Sequence, residues 1–204
     1  MEFLELQRYM HGVEGILSYI QYSIPHREET LSKKECIQLD NQIAIIKSGC
    51  LIEKTFLNNT VDVVVAGDFL FGVVYGEGEE KNLIYEAHVE TELLLFDTET
   101  VCAYLEDKKL LSNFLFYVCE KLHGKLNYLV MISRLNSEER TWEIFNKLVS
   151  EDGWLPVWLN KKLTSELSRS SIRTTNVILN RFAEQKIIDI TGRPWQVKSQ
   201  NFNY

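Results

Sequence analysis

The chain of 204 residues is 45% apolar and 25% charged, a composition typical of one large or two small globular domains and too apolar for a disordered chain. Its longest apolar run is six residues (114–119), whereas a membrane helix needs roughly 20, and its first residues lack the basic start of a secretory signal. We therefore expect a cytoplasmic protein with no membrane partner.

Charge is distributed unevenly along the sequence. The net charge is −7, yet residues 160–204 carry +5, so that residues 1–159 carry −12. This asymmetry favours an acidic body followed by a basic C-terminal module, with chance clustering as the alternative.

The cysteines and histidines show no metal-binding spacing. The four cysteines (Cys36, Cys50, Cys102 and Cys119) are at least 14 positions apart, and no CxxC, HxH or HxxxH pattern occurs. We expect reduced, mostly buried cysteines and leave a redox role for one of them open. Walker, nucleophile-elbow and complete GxGxxG motifs are also missing from the sequence, which predicts that the protein is not an enzyme.

In chain order, the first pattern is a short helix. Apolar residues at steps of three and four over residues 3–20 predict an amphipathic helix that ends before Pro25. Between Thr30 and Asp97, short β-rich runs alternate with Gly, Asn and Asp turns at spacings of about 8–12 residues, which predicts an antiparallel barrel or sandwich.

A helix of about 23 residues follows from near residue 110. Its apolar stripe consists of Leu111, Leu115, Val118, Leu122, Leu126, Leu129 and Ile132. We predict that this stripe pairs with a second copy as a two-stranded coiled coil, whereas packing on the chain's own domain is the alternative. His123 and Lys125 are expected to face solvent.

The segment after this helix predicts a hinge and a new helix. Arg134 to Ser137 form the hinge, and Asn136 with Glu139 matches a capping box that opens a helix through Val149.

The basic segment predicts a winged helix-turn-helix. Asn160 caps a short helix from Lys161, and Ser170 or Ser171 caps a second helix that runs to about Gln185. The core face of this second helix is expected to consist of Ile172, Thr175, Ile178, Leu179 and Phe182. A hairpin over residues 187–198 completes the predicted module.

Candidate DNA contacts follow from this arrangement. The outward face of the second helix would read base edges in the major groove, with Arg173, Thr174, Asn176, Val177, Asn180 and Arg181. Phosphate contacts would come from Lys161, Lys162, Arg169, Ser170, Ser171, Arg193 and Lys198. The alternative is a solvated polar face, in which Arg181 pairs with Glu184.

The ordered set of patterns resembles the Crp/Fnr family of bacterial transcription regulators over residues 25–200. Ile45–Gly49 resembles the family's strand and turn, Gly67–Gly72 its Gly-Asp-x-x-Gly turn with one extra residue, and Tyr85–Phe96 its last two barrel strands. Residues 110–133 resemble the dimerisation helix and Thr174–Ile188 the recognition helix and its exit. The absence of the nucleotide motif resembles the PrfA-type members.

The resemblance implies an α+β fold in three parts. These are an antiparallel β-roll (a jelly roll like that of cyclic-nucleotide-binding domains, residues 1–109), a dimerisation helix with a hinge (110–136) and a winged helix-turn-helix (137–204). The implied function is a homodimeric regulator that binds double-stranded DNA at a pseudo-palindromic operator. Activation and repression both stay open, and an activator would also contact RNA polymerase.

This sequence departs from the cyclic-nucleotide-binding members at the phosphate cassette. Val73 follows Gly72 where those members have Glu, and Lys81-Asn82 lies nearest their Arg-Ser pair. We therefore expect no cyclic AMP binding and identify no cofactor. A candidate pocket for an unknown effector comprises Phe71, Tyr75, Lys81, Tyr85, Tyr117 and Lys121. The alternatives are a ligand-binding β-roll without DNA binding and a cupin-like enzyme, which would need clustered metal ligands.

Overall fold

The alternating apolar runs of the first half of the chain form short antiparallel strands, as predicted. The computed structural model describes residues 13–55, 57, 59–72 and 83–198. Its strands here are β1 (Arg27–Leu31), β2 (Cys36–Ile37), β3 (Gln42–Ser48), β4 (Cys50–Lys54), β5 (Thr60–Val65), β6 (Phe69–Phe71), β7 (Ile84–Ala87) and β8 (Thr91–Asp97). They form sheet A, of order β1-β8-β3-β6, and sheet B, of order β2-β7-β4-β5, which we call together the β-roll.

The two sheets share an apolar core, because successive side chains of a strand point to opposite faces. The buried cluster between them includes Leu31, Ala44, Ile46, Leu70, Leu93 and Leu95 of sheet A, and Ile37, Leu51, Val64, Tyr85 and Ala87 of sheet B. The opposite face of sheet A belongs to a second cluster, with Ile43, Ile45, Leu94 and Phe96. Helices pack on this second face.

In the part of the chain that the structure describes, three helices accompany the β-roll. They are α1 (Val13–Ser23), α2 (Thr98–Asp107) and α3 (Leu111–Arg134). The predicted N-terminal helix is present from Val13 and ends before Pro25, and its residues before Val13 lie outside the described part. Asp97 caps α2, since its carboxylate accepts a hydrogen bond of 2.8 Å from the backbone of Thr100.

Two glycines of the turn patterns are required by close backbone approach. A Cβ on Gly49, whose φ is +93°, would lie 2.5 Å from the carbonyl oxygen of Glu90. A Cβ on Gly72 would lie 2.1 Å from the carbonyl oxygen of Leu39. Any larger residue at either position would force these backbone segments apart.

The long helix α3 has an inward and an outward apolar face. Leu115, Leu122 and Leu126 of the predicted stripe are exposed, and Leu111 and Leu129 are half-buried. The assignment of Val118 and Ile132 to the same outward stripe is wrong, because they are only 8% and 5% exposed in the folded chain. Residues at successive steps of four, three, four and four lie at gradually changing angles around the helix, whereas a heptad repeat would keep them on one face.

The C-terminal part contains α4 (Ser137–Leu148), α5 (Lys161–Leu167), α6 (Ile172–Glu184), β9 (Ile188–Asp189) and β10 (Gln196–Val197). The predicted capping box of α4 is present, with the side chains and backbones of Asn136 and Glu139 bonded reciprocally. The core is aromatic: the ring centroid of Phe145 lies 6.5 Å from that of Phe182 and 6.3 Å from that of Trp195.

The chain divides into two compact units, Met1–Leu126 and Asn127–Tyr204. This division falls inside α3, whereas the sequence places boundaries before and after that helix. None of the helices in the described residues is long and apolar enough to cross a membrane.

Candidate nucleic-acid interface

Two capped helices joined by a short turn form the centre of the candidate interface. The side-chain oxygen of Asn160 accepts a hydrogen bond of 3.0 Å from Leu163 N at the start of α5. Ser171 caps α6, since its hydroxyl oxygen accepts a bond of 3.0 Å from Thr174 N. Both caps are as predicted, because a cap depends on residues only three positions apart.

The turn between these helices is held by a chain of hydroxyl groups. The Oγ of Ser170 lies 2.8 Å from the Oγ of Ser168 and 2.8 Å from the Oγ1 of Thr175, and both of these partners are buried. The hydroxyl of Ser170, predicted to contact phosphate, is thus already bonded within the turn. The network fixes where α6 begins.

Helix α6 is strongly two-sided. Thr175, Ile178, Leu179 and Phe182 are buried, as predicted. The placement of Ile172 in the core is wrong, because this side chain is 51% exposed. It precedes Thr175 by one turn, and the hydroxyl network of Ser168 and Ser170 already occupies the space beside Thr175.

The outward face of α6 carries the predicted base-reading residues. Arg173, Thr174, Val177, Asn180 and Arg181 are exposed, and Asn176 is half-buried. The Oδ1 atom of Asn176 is buried without a hydrogen-bond partner. A two-bond contact with adenine uses both ends of the amide, so Asn176 would have to rotate to make it.

Some of the predicted cations are engaged in ion pairs. Arg181 pairs with Glu138 of α4, rather than with the Glu184 considered from sequence. Lys198 Nζ lies 2.7 Å from Asp189 across the β9–β10 hairpin, and Lys162 Nζ lies 3.8 Å from Glu166. Such pairs at the surface are weak and exchange readily for phosphate contacts.

The remaining predicted cations are available. Within the described residues, Lys161, Arg169, Arg173 and Arg193 are exposed and have no carboxylate partner. They lie on α5, on the turn, on the first turn of α6 and on the hairpin connection respectively. Positive charge therefore accompanies α6 on α5, on the turn and on the hairpin connection.

A positioning residue escaped the sequence analysis. The guanidinium of Arg140, in the first turns of α4, donates hydrogen bonds to Ser168 O at 2.7 Å, Leu135 O at 2.5 Å and Ser137 Oγ at 3.1 Å. It connects the predicted hinge with the turn that precedes α6. An arginine after a capping box carries no sign of this role, because Ser168 is distant in sequence.

The candidate effector residues are divided between two clusters. Tyr117 and Phe71 belong to the cluster on the outer side of sheet A, whereas Tyr85 lies between the sheets. Burial, with a smaller contribution from the charge of Asp68, raises the pKa of Tyr117 to about 12. Exposed Lys121 has its Nζ 5.8 Å from the Tyr117 ring centroid. Tyr75 and Lys81, together with Val73 and Asn82, lie outside the described residues, and the pocket stays a prediction.

The enzyme alternative requires a cluster of metal ligands. Across residues 13–55, 57, 59–72 and 83–198, no three His, Cys, Asp or Glu side chains are grouped so as to hold a metal ion. His26 instead packs against Phe96, with ring centroids 5.1 Å apart.

Comparison with solved structures shows which fold this is. FixK2 from Bradyrhizobium japonicum is 13% identical, with a TM-score of 0.71 over 87% of this chain and 94% of its own. A cyclic-nucleotide-binding-domain protein from Listeria monocytogenes is 16% identical, with a TM-score of 0.70 over 96% and 97%. The CRP-family transcriptional regulator TTHB099 from Thermus thermophilus is 13% identical, with a TM-score of 0.60 over 84% and 92%.

These structural neighbours are transcription regulators of the Crp/Fnr family. The chain therefore shares the fold of these structures along nearly its whole length, and the mixed fold with antiparallel sheets that the resemblance implied is confirmed, whereas the division into three parts stays a prediction. At these identities the likeness is one of fold. No protein-family model matches the sequence, and no curated protein matches it.

Proposed function

We propose that this protein is a homodimeric, sequence-specific DNA-binding transcription regulator of the Crp/Fnr type, acting in the cytoplasm. The observation that carries the proposal is helix α6, whose back is buried and whose first turn presents Arg173 and Thr174 to solvent. An exposed, polar and basic first turn after a short helix and a tight turn is the part of a helix-turn-helix that enters the major groove.

The exposed side chains of α6 suit base reading. Arg173 can donate two hydrogen bonds to guanine, and the methyl groups of Thr174 and Val177 can contact thymine. Asn180 lies two turns further along the same face. Lys161 and Arg193 on the flanking elements suit phosphates, which orient the protein without reading sequence.

Arg169 lies in the turn between α5 and α6 and is exposed. It has no carboxylate partner among the described residues, so its guanidinium can donate hydrogen bonds to a phosphate. Its φ is +50°, a left-handed conformation that costs a non-glycine residue about 1–2 kcal/mol.

The second copy is expected on the outward face of α3. Leu115, Cys119, Leu122 and Leu126 are exposed at steps of four, three and four, which is a heptad pattern. In this outward stripe, Cys119 takes the position that the sequence predicts for Val118. A two-fold dimer on this face would bind half-sites about one DNA turn, roughly 34 Å, apart.

The test is selection of bound duplexes from random DNA with the purified full chain, followed by titration of the enriched duplex. We expect a pseudo-palindrome, bound at least tenfold more weakly by Arg173→Ala. Lys186→Asn is the matched control: it removes a cation at the far end of α6, and asparagine tolerates the φ of +58° at that residue. Failure to enrich any motif at low salt, or equal affinity of Arg173→Ala, would refute the proposal.

A further inference from the structure

A completely buried carboxylate lies in the β-roll, outside the candidate interface. Glu53 on β4 has no exposed side-chain surface, and its Oε2 pairs with the Nζ of Lys125 on α3. Its other oxygen, Oε1, is buried without a hydrogen-bond partner. Lys125 is therefore not the solvent-facing residue that the sequence predicts. Since a buried charge without a counter-charge is strongly unfavourable, this lysine is required where it is.

The strand register places a second buried carboxyl group and a buried tyrosine beside Glu53. Asp62 on β5 and Tyr85 on β7 are its direct cross-strand partners, and both are buried. Direct cross-strand partners point to the same face of a sheet. Burial raises the pKa of Tyr85, and the charge of Glu53 raises it further. Lys125 thus pairs with a carboxylate that has a second buried carboxyl group, Asp62, as its cross-strand neighbour.

Helix α3 consequently has two anchors on the β-roll. The first is apolar: the ring centroids of Phe114 and Tyr117 each lie 5.8 Å from that of Phe69 on sheet A, and Val118 is the last α3 residue of this buried cluster in the described chain. The second is Lys125 on sheet B. Seven residues separate Lys125 from Val118, which is about 10 Å along the helix and nearly two complete turns, so the two side chains share one face.

Apolar packing alone does not determine the rotation of α3. The helix carries apolar residues inward and outward, and cores tolerate exchanges of similar apolar side chains. A rotation by one residue would move Lys125 about 100° away and leave Glu53 buried without its cation. A polar contact at one buried position is the device best known to select one helix register over another.

We infer that the Glu53–Lys125 pair fixes the rotational register of α3 on the β-roll, so that Leu115, Cys119, Leu122 and Leu126 face a second copy of the chain. The inference rests on the homodimer of the proposed function. The pair thereby controls the geometry of the dimer. The dimer geometry in turn determines whether both copies can bind their half-sites at the same time.

The test replaces the pair by apolar residues in the full chain, as Glu53→Leu/Lys125→Met. Such replacements often preserve stability, so a pair with only a structural role leaves the dimer unchanged. Native Cys119 reports the register, because it lies in the outward stripe and is exposed; the other exposed cysteine, Cys36, is replaced by serine in all samples. A short thiol cross-linker measures the covalent dimer, and operator titration measures DNA affinity.

We expect the double variant to retain its circular dichroism spectrum, to lose at least fivefold in Cys119 cross-linking and to lose at least tenfold in operator affinity. The single variant Lys125→Arg keeps a cation beside Glu53 and should retain both cross-linking and operator affinity. Glu120→Gln, which removes an exposed charge elsewhere on α3, is the control and should change neither. If the apolar pair does not fold, Glu53→Gln/Lys125→Gln replaces it with the same expected losses.

Cross-linking and affinity equal to wild type in a folded variant would overturn the inference and leave the proposed function intact. A wild-type chain that binds the operator but does not cross-link through Cys119 would also overturn it. A wild-type chain that neither binds DNA nor dimerises would refute the proposed function and the inference together.

Discussion

Replacement of Arg140 by leucine tests whether one guanidinium connects the predicted hinge to the turn before α6. The substitution keeps an apolar stem and removes the three hydrogen bonds to Ser168 O, Leu135 O and Ser137 Oγ. Ser168 is fully buried, so its carbonyl would lose a partner that water cannot replace, at a cost of about 1–3 kcal/mol. The other two acceptors are partly exposed and can be rehydrated. We therefore expect the free energy of unfolding to fall by about 1–3 kcal/mol.

The assay is urea unfolding of the full chain followed by tryptophan fluorescence. All four tryptophans, Trp142, Trp154, Trp158 and Trp195, lie in the second unit, so their emission reports on the unit that contains Arg140. With an m-value of about 1–2 kcal/mol/M, the midpoint should fall by roughly 0.5–3 M.

Arg134→Leu is the matched control, because Arg134 is exposed at the end of α3 and should shift the midpoint little. Arg140→Lys keeps the charge, but an ammonium group cannot reach all three acceptors as the planar guanidinium does. The free energy of unfolding should therefore fall less than in Arg140→Leu but should not equal that of the wild type. A midpoint for Arg140→Leu that matches the control would refute the reasoning. A positioning role further requires operator affinity to fall in Arg140→Leu under conditions where the variant remains folded.

Three further expectations concern the turn, the dimer face and the hairpin. Arg169→Gly should leave the unfolding free energy unchanged or raise it by up to about 1 kcal/mol, because glycine accepts a positive φ, while operator affinity falls; a parallel loss of both would contradict this. Leu122→Asp should convert the dimer to monomer in sedimentation velocity, whereas a dimer of unchanged affinity would exclude this face of α3. Hydrogen bonds from Lys198 and Thr191 hold the pKa of Asp189 below its usual range. Since the folded pKa lies below the unfolded value of about 3.9, the stabilisation is complete above about pH 5 and is lost as the pH falls through the folded pKa. A carboxyl NMR titration should show this pKa rising in Lys198→Ala, and an unchanged value would be inconsistent with the pair.

Features that depend on near neighbours in sequence were predictable. The capping box of Asn136 and Glu139 and the caps at Asn160 and Ser171 join groups no more than three positions apart. The strands of the β-roll follow from alternation of apolar residues, which is equally local. The outward face of α6 also followed from periodicity, since Thr175, Ile178, Leu179 and Phe182 define its buried side.

Features that depend on distant partners were not predictable. In a helix with apolar residues on both sides, the sequence does not show which side packs on the rest of the chain. The sequence therefore predicts an outward Val118, whereas the structure buries Val118 in the cluster that Phe69 packs against. Lys125 was assigned to solvent because its partner, Glu53, is 72 residues away on another element.

The elements of this protein, their order and the basic face of α6 follow from its amino-acid sequence, because capping, turn spacing and helical periodicity act over a few residues. Only the folded chain shows which face of α3 is exposed, that Glu53 is buried and that Arg140 joins the predicted hinge to the turn before α6. These features depend on charged groups and carbonyl groups that become neighbours only when the chain folds. The apolar pattern allows several arrangements, and the free-energy cost of burying such groups unpaired selects one of them.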